Sequence, residues 1–73
     1  MTWNDELLDL ITKKWKVGHS FSLEDIYQFE NHFVKLYPNN NYVQAKLRQT
    51  LQNLRNKGYI EFQDKRGHYT RIK

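Results

Sequence analysis

Leu7, Leu8, Ile11 and Trp15 recur three and four positions apart, so residues 3 to 15 are predicted to form a helix with one buried stripe. Thr2 followed by Asp5 is a capping-box pair at its start, Lys13, Lys14 and Lys16 suit the negative end of its dipole, and Gly18 closes the segment. A second helix is predicted from Ser22, the cap, to about Leu36. Asp25 completes its box, and Phe21 precedes the cap where it can staple to Ile26. Leu23, Ile26, Phe29, Phe33 and Leu36 make its apolar row, widened by Tyr27 and Val34, until Pro38 forces Tyr37 out of helical geometry. The third helix is predicted from a cap at Asn41, with Gln44 three places on, to a left-handed stop at Gly58. Val43, Leu47, Leu51 and Leu54 step along its inner face. Beyond Gly58 the period falls to two, predicting a strand at 59–62, a turn at 64–67 and a returning strand at 68–72, with a short strand near Phe21 to pair with them.

Three helices followed by a small C-terminal β-hairpin is the order of an α+β winged helix-turn-helix, and residues 1–73 are predicted to be one such domain. A chain of this length buries only about 60 to 65% of the surface it exposes unfolded, so the core must be small and aromatic-rich. With 38% hydrophobic residues, 15% aromatics and no cysteine, the composition fits a compact unit without disulfides or thiolate metal sites. The acidic start MTWNDELLDL does not read as a secretory signal, and no apolar run reaches spanning length, so a cytoplasmic location is expected, with no membrane partner.

Charge changes the picture further. Residues 1–36 hold four bases and six acids, whereas residues 37–73 hold eight bases and two, and no acid occurs between Glu30 and Glu61. A domain whose second half is this basic is expected to face a polyanion. Counting 100° per residue puts Asn41, Ala45, Arg48, Gln49, Gln52 and Asn56 opposite the leucines of the third helix. That face is amide and guanidinium without a carboxylate. In a helix-turn-helix the later helix lies in the major groove, where Arg pairs with guanine O6 and N7 and Asn or Gln with adenine N6 and N7. Asn41, Arg48, Gln49 and Gln52 are therefore expected to read base edges of double-stranded DNA. Lys35, Asn40, Lys46, Arg55, Lys57, Lys65, Arg66 and His68 are expected to hold phosphates around them. The bland alternative is that the amides merely solubilise a helix, since glutamine is a fair helix former.

Other chemistry finds no support. His19, His32 and His68 share no ligand spacing and lack cysteine companions, so no metal is expected. Neither a serine triad, a Gly-rich phosphate loop nor paired carboxylates occur, so no catalytic residue and no cofactor is expected, and an enzyme is not indicated.

The runs FSLEDIYQFE (21–30), LYPNNN (36–41), KLRQTLQNLRNKGYIEF (46–62) and RGHY (66–69) resemble the C-terminal winged-helix domain of DpnI-type methyl-directed restriction endonucleases, over roughly residues 21–71. Members of that bacterial family cut GATC sites only when the adenines are methylated. The resemblance implies a reader of 6-methyladenine that leaves the base in the duplex, and it carries Lys46, Arg48, Gln49, Gln52 and Arg55 over as motif positions. The family's nuclease domain has no counterpart in these residues, so the chain is expected to be a module of such an enzyme or a stand-alone relative, acting as a monomer. An added methyl spoils the bidentate amide contact at adenine and asks for small, flat apolar surface. Ala45 and Tyr42, beside Asn41, are the candidates for that surface; packing over the turn is the ordinary alternative for Tyr42. Two other readings stay open at this point: a winged-helix transcriptional regulator of unmodified DNA, and a protein-docking winged helix.

Overall fold

The computed structural model describes residues 2–64 and 67–73. In chain order the elements are α1 (Trp3–Lys14), β1 (Ser20–Ser22), α2 (Leu23–Tyr27), α3 (Glu30–Leu36), α4 (Val43–Asn56), β2 (Ile60–Asp64) and β3 (His68–Arg71). The three strands form one antiparallel sheet in the order β1-β3-β2, with Phe21 opposite Tyr69 and Phe62 opposite the same residue on the other side. This is the winged helix-turn-helix the sequence predicts, with α4 as the later helix of the pair and β2–β3 as the wing. Among the described residues no helix is long and apolar enough to cross a membrane.

Both predicted capping boxes form. The Asp5 amide donates to Thr2 Oγ1 at 3.1 Å and the Asp25 amide to Ser22 Oγ at 3.2 Å, satisfying donors that a helix start otherwise leaves open. At the other end of α4, Gly58 takes φ +83 and donates to the Arg55 carbonyl, while Tyr59 donates to Leu54. That pair of bonds is a complete left-handed helix stop, which needs a residue without Cβ strain.

Two expectations are corrected. The predicted second helix is two: Gln28 and Phe29 donate back three residues, to Asp25 and Ile26, and Phe29 sits at ψ 0, so the ladder tightens and restarts at Glu30. The break lets Phe29 meet the edge of Trp15 at 6.0 Å. The cap predicted at Asn41 does not form either. The α4 cap position is Tyr42, without a side-chain cap bond, and its amide instead donates to Asn40 Oδ1 at 2.8 Å. Gln44, the other half of the expected pair, reaches Glu30 across the fold at 3.0 Å.

Leu7 and Ile11 of α1, Ile26, Phe33, the α4 row Val43, Leu47, Leu51 and Leu54, and Ile60 and Tyr69 of the sheet make one buried core with Phe21. Thr50 is buried among them because its hydroxyl donates to the Lys46 carbonyl at 2.7 Å and leaves no unpaired polar atom. Arg71 ties the sheet to α1: its Nη1 donates to the carbonyls of Trp15 at 2.7 Å and Thr12 at 3.3 Å, the open acceptors of the helix end.

The wing is locked to α2 at Gly67. Its carbonyl accepts from the Leu23 amide at 2.7 Å, its φ is +79, and a Cβ there would stand 3.1 Å from Leu23 Cβ. Gly67→Ala should therefore destabilise the domain by roughly 1 to 2 kcal/mol. In a thermal melt that is a fall of about 4 to 16 °C for a domain of this size. An unchanged midpoint would show that the wing is not held there.

Candidate nucleic-acid interface

The predicted outward positions of α4 are all outward. Asn41, Ala45, Arg48, Gln49, Gln52 and Asn56 are exposed, and Val43, Leu47, Leu51 and Leu54 are buried behind them. Tyr42 stands just before the helix with 76% of its surface exposed, so packing over the turn does not account for it. Around it lies an open depression of about 380 Å³ that Asn41, Tyr42, Ala45 and Gln49 line together with Asn39, Asn40 and Lys46. The structure thus brings four of the six expected base-reading residues to one place at the front of the helix, with Gln52 one turn further along. Lys46 is half-buried beside them, its Nζ 3.4 Å from Gln49 Oε1, which it can donate to.

Arg48 is placed differently. A step of three residues turns it about 60° from Ala45, and its Nη1 donates to the Tyr27 hydroxyl of α2 at 2.7 Å. Arg55, two turns on, lies on the same flank with its guanidinium carbon 4.5 Å from the centre of the Phe62 ring of β2. Phe62 in turn leans on Tyr69 at 5.0 Å. Burial, and after it the neighbouring Tyr27, push the Tyr69 phenol above its usual range, while Arg48 and Arg55 pull the other way. Tyr69 is accordingly a neutral ring behind the two arginines at physiological pH.

The expected phosphate holders are scattered around this front. Lys35 is exposed in the last turn of α3 and Lys57 just past α4. Asn40 spends its oxygen on the Tyr42 amide, keeping its NH₂ group. The His68 ring nitrogen sits 2.9 and 3.1 Å from the two oxygens of Asp64, so any charge it gains is answered within the wing. Lys65 and Arg66 lie outside the described residues. Of the other imidazoles, His32 pairs with Glu6 at 2.7 Å and His19 is exposed; among the described residues no three ligand-type side chains gather as a metal site would require.

Sequence reasoning missed Tyr27 and Phe62 as parts of this surface. It placed Tyr27 in an apolar row and Phe62 in a strand, and their partners Arg48 and Arg55 come from another element, which periodicity does not report.

With α4 bare of carboxylates, exposed along its front and flanked by the wing, the chain can be set beside known families. The profile described as the Dam-replacing HTH domain, from DpnI-type restriction enzymes, matches residues 1–71 of the 73. The chain belongs to that family. The match takes in α1, which the resemblance in sequence did not reach. Membership makes this a DNA-binding domain, not a catalytic one, with double-stranded DNA as its partner.

Proposed function

From that membership we propose that the domain reads 6-methyladenine in a GATC-like duplex site through the front of α4, without flipping the base, as a module or relative of a methyl-directed restriction endonuclease. The observation that carries the reading is the depression at the head of α4. An exposed aromatic, Tyr42, and a single exposed methyl, Ala45, stand there beside the amide forks of Asn41 and Gln49. Unmodified adenine offers its N6 amino group and N7 to an amide fork. Methylation removes one of those donor hydrogens and adds an apolar group, which favours a surface where a flat ring and a methyl lie next to the fork. Gln52 reads the adjoining step, and Lys35, Asn40, Lys46, Lys57, Lys65 and Arg66 supply the phosphate field, while His68 is engaged by Asp64.

Magnitudes limit how sharp the preference is. Burying one methyl is worth ~0.8 kcal/mol, about fourfold in affinity, so two on a palindromic site give about fifteenfold before any penalty against the bare base. Titrating unmethylated, half-methylated and fully methylated duplexes should give three ordered affinities, and equal affinities would remove the methyl reading. The amide forks also fit unmodified adenine, so a regulator of unmodified DNA is the second reading, and tightest binding to the bare duplex would select it. If about five phosphates are contacted, log K against log salt should have a slope near −4.5 in either case.

A further inference from the structure

We infer that Arg48 and Arg55 form one phosphate-holding flank of α4, and that Tyr27 and Phe62 are positioning residues that preset the two guanidinium groups before DNA arrives. Sequence groups Arg48 with the base readers; the geometry pairs it with Arg55. The two are seven residues apart, which on a helix is the same flank two turns on. Each is engaged by an aromatic side chain of a different element, Arg48 by the Tyr27 hydroxyl at 2.7 Å and Arg55 by the Phe62 ring at 4.5 Å. Both arginines remain exposed, as does Phe62 at 37%. They are thus restrained without being withdrawn from a ligand.

The chemistry of the flank fits an oxyanion. Arg48 uses one of its five N–H donors on Tyr27, and the Tyr27 hydroxyl, having accepted it, keeps its own proton to donate outward. A base edge asks for two parallel donors aimed into the groove, whereas a phosphate oxygen accepts from several directions. Carboxylates bound the flank on two sides. Glu30, bonded to Gln44 one turn before Arg48, closes it toward the helix front, and Glu24 shares a depression with Tyr27 and His68 near the wing base. The open stretch therefore runs from Arg48 toward Arg55 and the wing. Restraint matters because ordering a long, rotamer-rich side chain on binding opposes affinity by about two- to twelvefold, and a side chain already ordered escapes it.

This inference rests on α4 facing the duplex, but not on methylation. The test uses the whole chain with a fully methylated GATC duplex and a duplex of unrelated sequence, at several salt concentrations. Arg48→Ala should weaken both duplexes alike, by roughly tenfold, and make the salt slope less negative by about one. Tyr27→Phe should weaken both by about two- to twelvefold with slope and melting midpoint unchanged, and should add nothing in an Arg48→Ala background, because the two act through one interaction. Phe62→Leu should relate to Arg55→Ala in the same manner. A loss confined to the GATC duplex in Arg48→Ala, with the slope kept, would make Arg48 a base reader and overturn the inference. A Tyr27→Phe effect that persists in full without Arg48 would overturn the positioning role. Equal binding of methylated and bare GATC by the parent chain would remove the methyl reading and leave this flank intact.

Discussion

Replacing Phe33 with alanine should lower the melting midpoint by roughly 12 to 40 °C, or leave the chain unfolded at room temperature. Phe33 is fully buried, and its ring stacks on Trp3 at 4.7 Å, within 6.4 Å of Tyr37 and edge-on to His32 at 5.6 Å. Truncating a buried phenylalanine removes about 3 to 5 kcal/mol, through lost transfer energy and the cavity left behind. A domain of this length has only about 4 to 11 kcal/mol in total. The stack also fastens α1 to α3, since Trp3 lies between Phe33 and Tyr37, at 4.6 Å from the latter. Losing the Phe33 ring leaves Trp3 stacked on one side only and loosens the hold between the two helices. Tryptophan fluorescence, to which Trp3 and Trp15 both contribute, and far-ultraviolet circular dichroism would follow the change. A midpoint within a few degrees of the parent would mean that the neighbouring rings collapse into the space and that the core is held elsewhere.

What the sequence discloses about this fold is what neighbours within four residues decide. The boxes Thr2–Asp5 and Ser22–Asp25 form as read, because each is a local bond between a hydroxyl or carboxylate and an amide three places away. The Gly58 stop forms for the same reason, and the leucine row of α4 is inward because its spacing admits one buried face. Asn41 is not the cap because α4 begins one residue later than its spacing suggests, with Tyr42 at the cap position, and of the three consecutive asparagines it is Asn40 that bonds an amide two residues on, in the turn after Pro38. The break at Gln28 and Phe29 was hidden because Phe29 continues the apolar period while its backbone does not; Trp15, from another element, is what it meets.

The candidate site divides along the same line. That α4 presents amides and no acid is written in its own spacing and needs no partner. That Arg48 leans on Tyr27 depends on residues 21 apart, and that Arg55 lies over Phe62 depends on how the wing returns. Thr50 shows the reverse case: a polar residue at an inner position, readable as an error in the pattern until its hydroxyl is seen to close on Lys46 within the same helix.

Gln49→Glu should weaken duplex binding by about 30- to 700-fold, roughly 2 to 4 kcal/mol, while moving the melting midpoint little. The substitution exchanges an amide for a carboxylate of the same shape, at an exposed position in a helix that tolerates either residue well. Three consequences act in one direction. The donor half of the amide fork is lost, an anion enters a helix face whose sequence has no acid between Glu30 and Glu61, and the new carboxylate stands where Gln49 Oε1 already lies 3.4 Å from Lys46 Nζ, pairing a cation that the proposed reading gives to the phosphate backbone. Gln49→Ala separates these contributions. It removes the fork without adding charge, so its loss should be about 5- to 150-fold and confined to the GATC duplex, whereas the glutamate should also weaken binding to unrelated sequence. Raising salt should narrow the gap between the two variants, since part of the glutamate effect is repulsion that counterions screen. Parent-like affinity in Gln49→Glu would mean that the front of α4 does not meet the duplex. The family's DNA contact would then have to run through the wing, with the depression at Tyr42 serving something else.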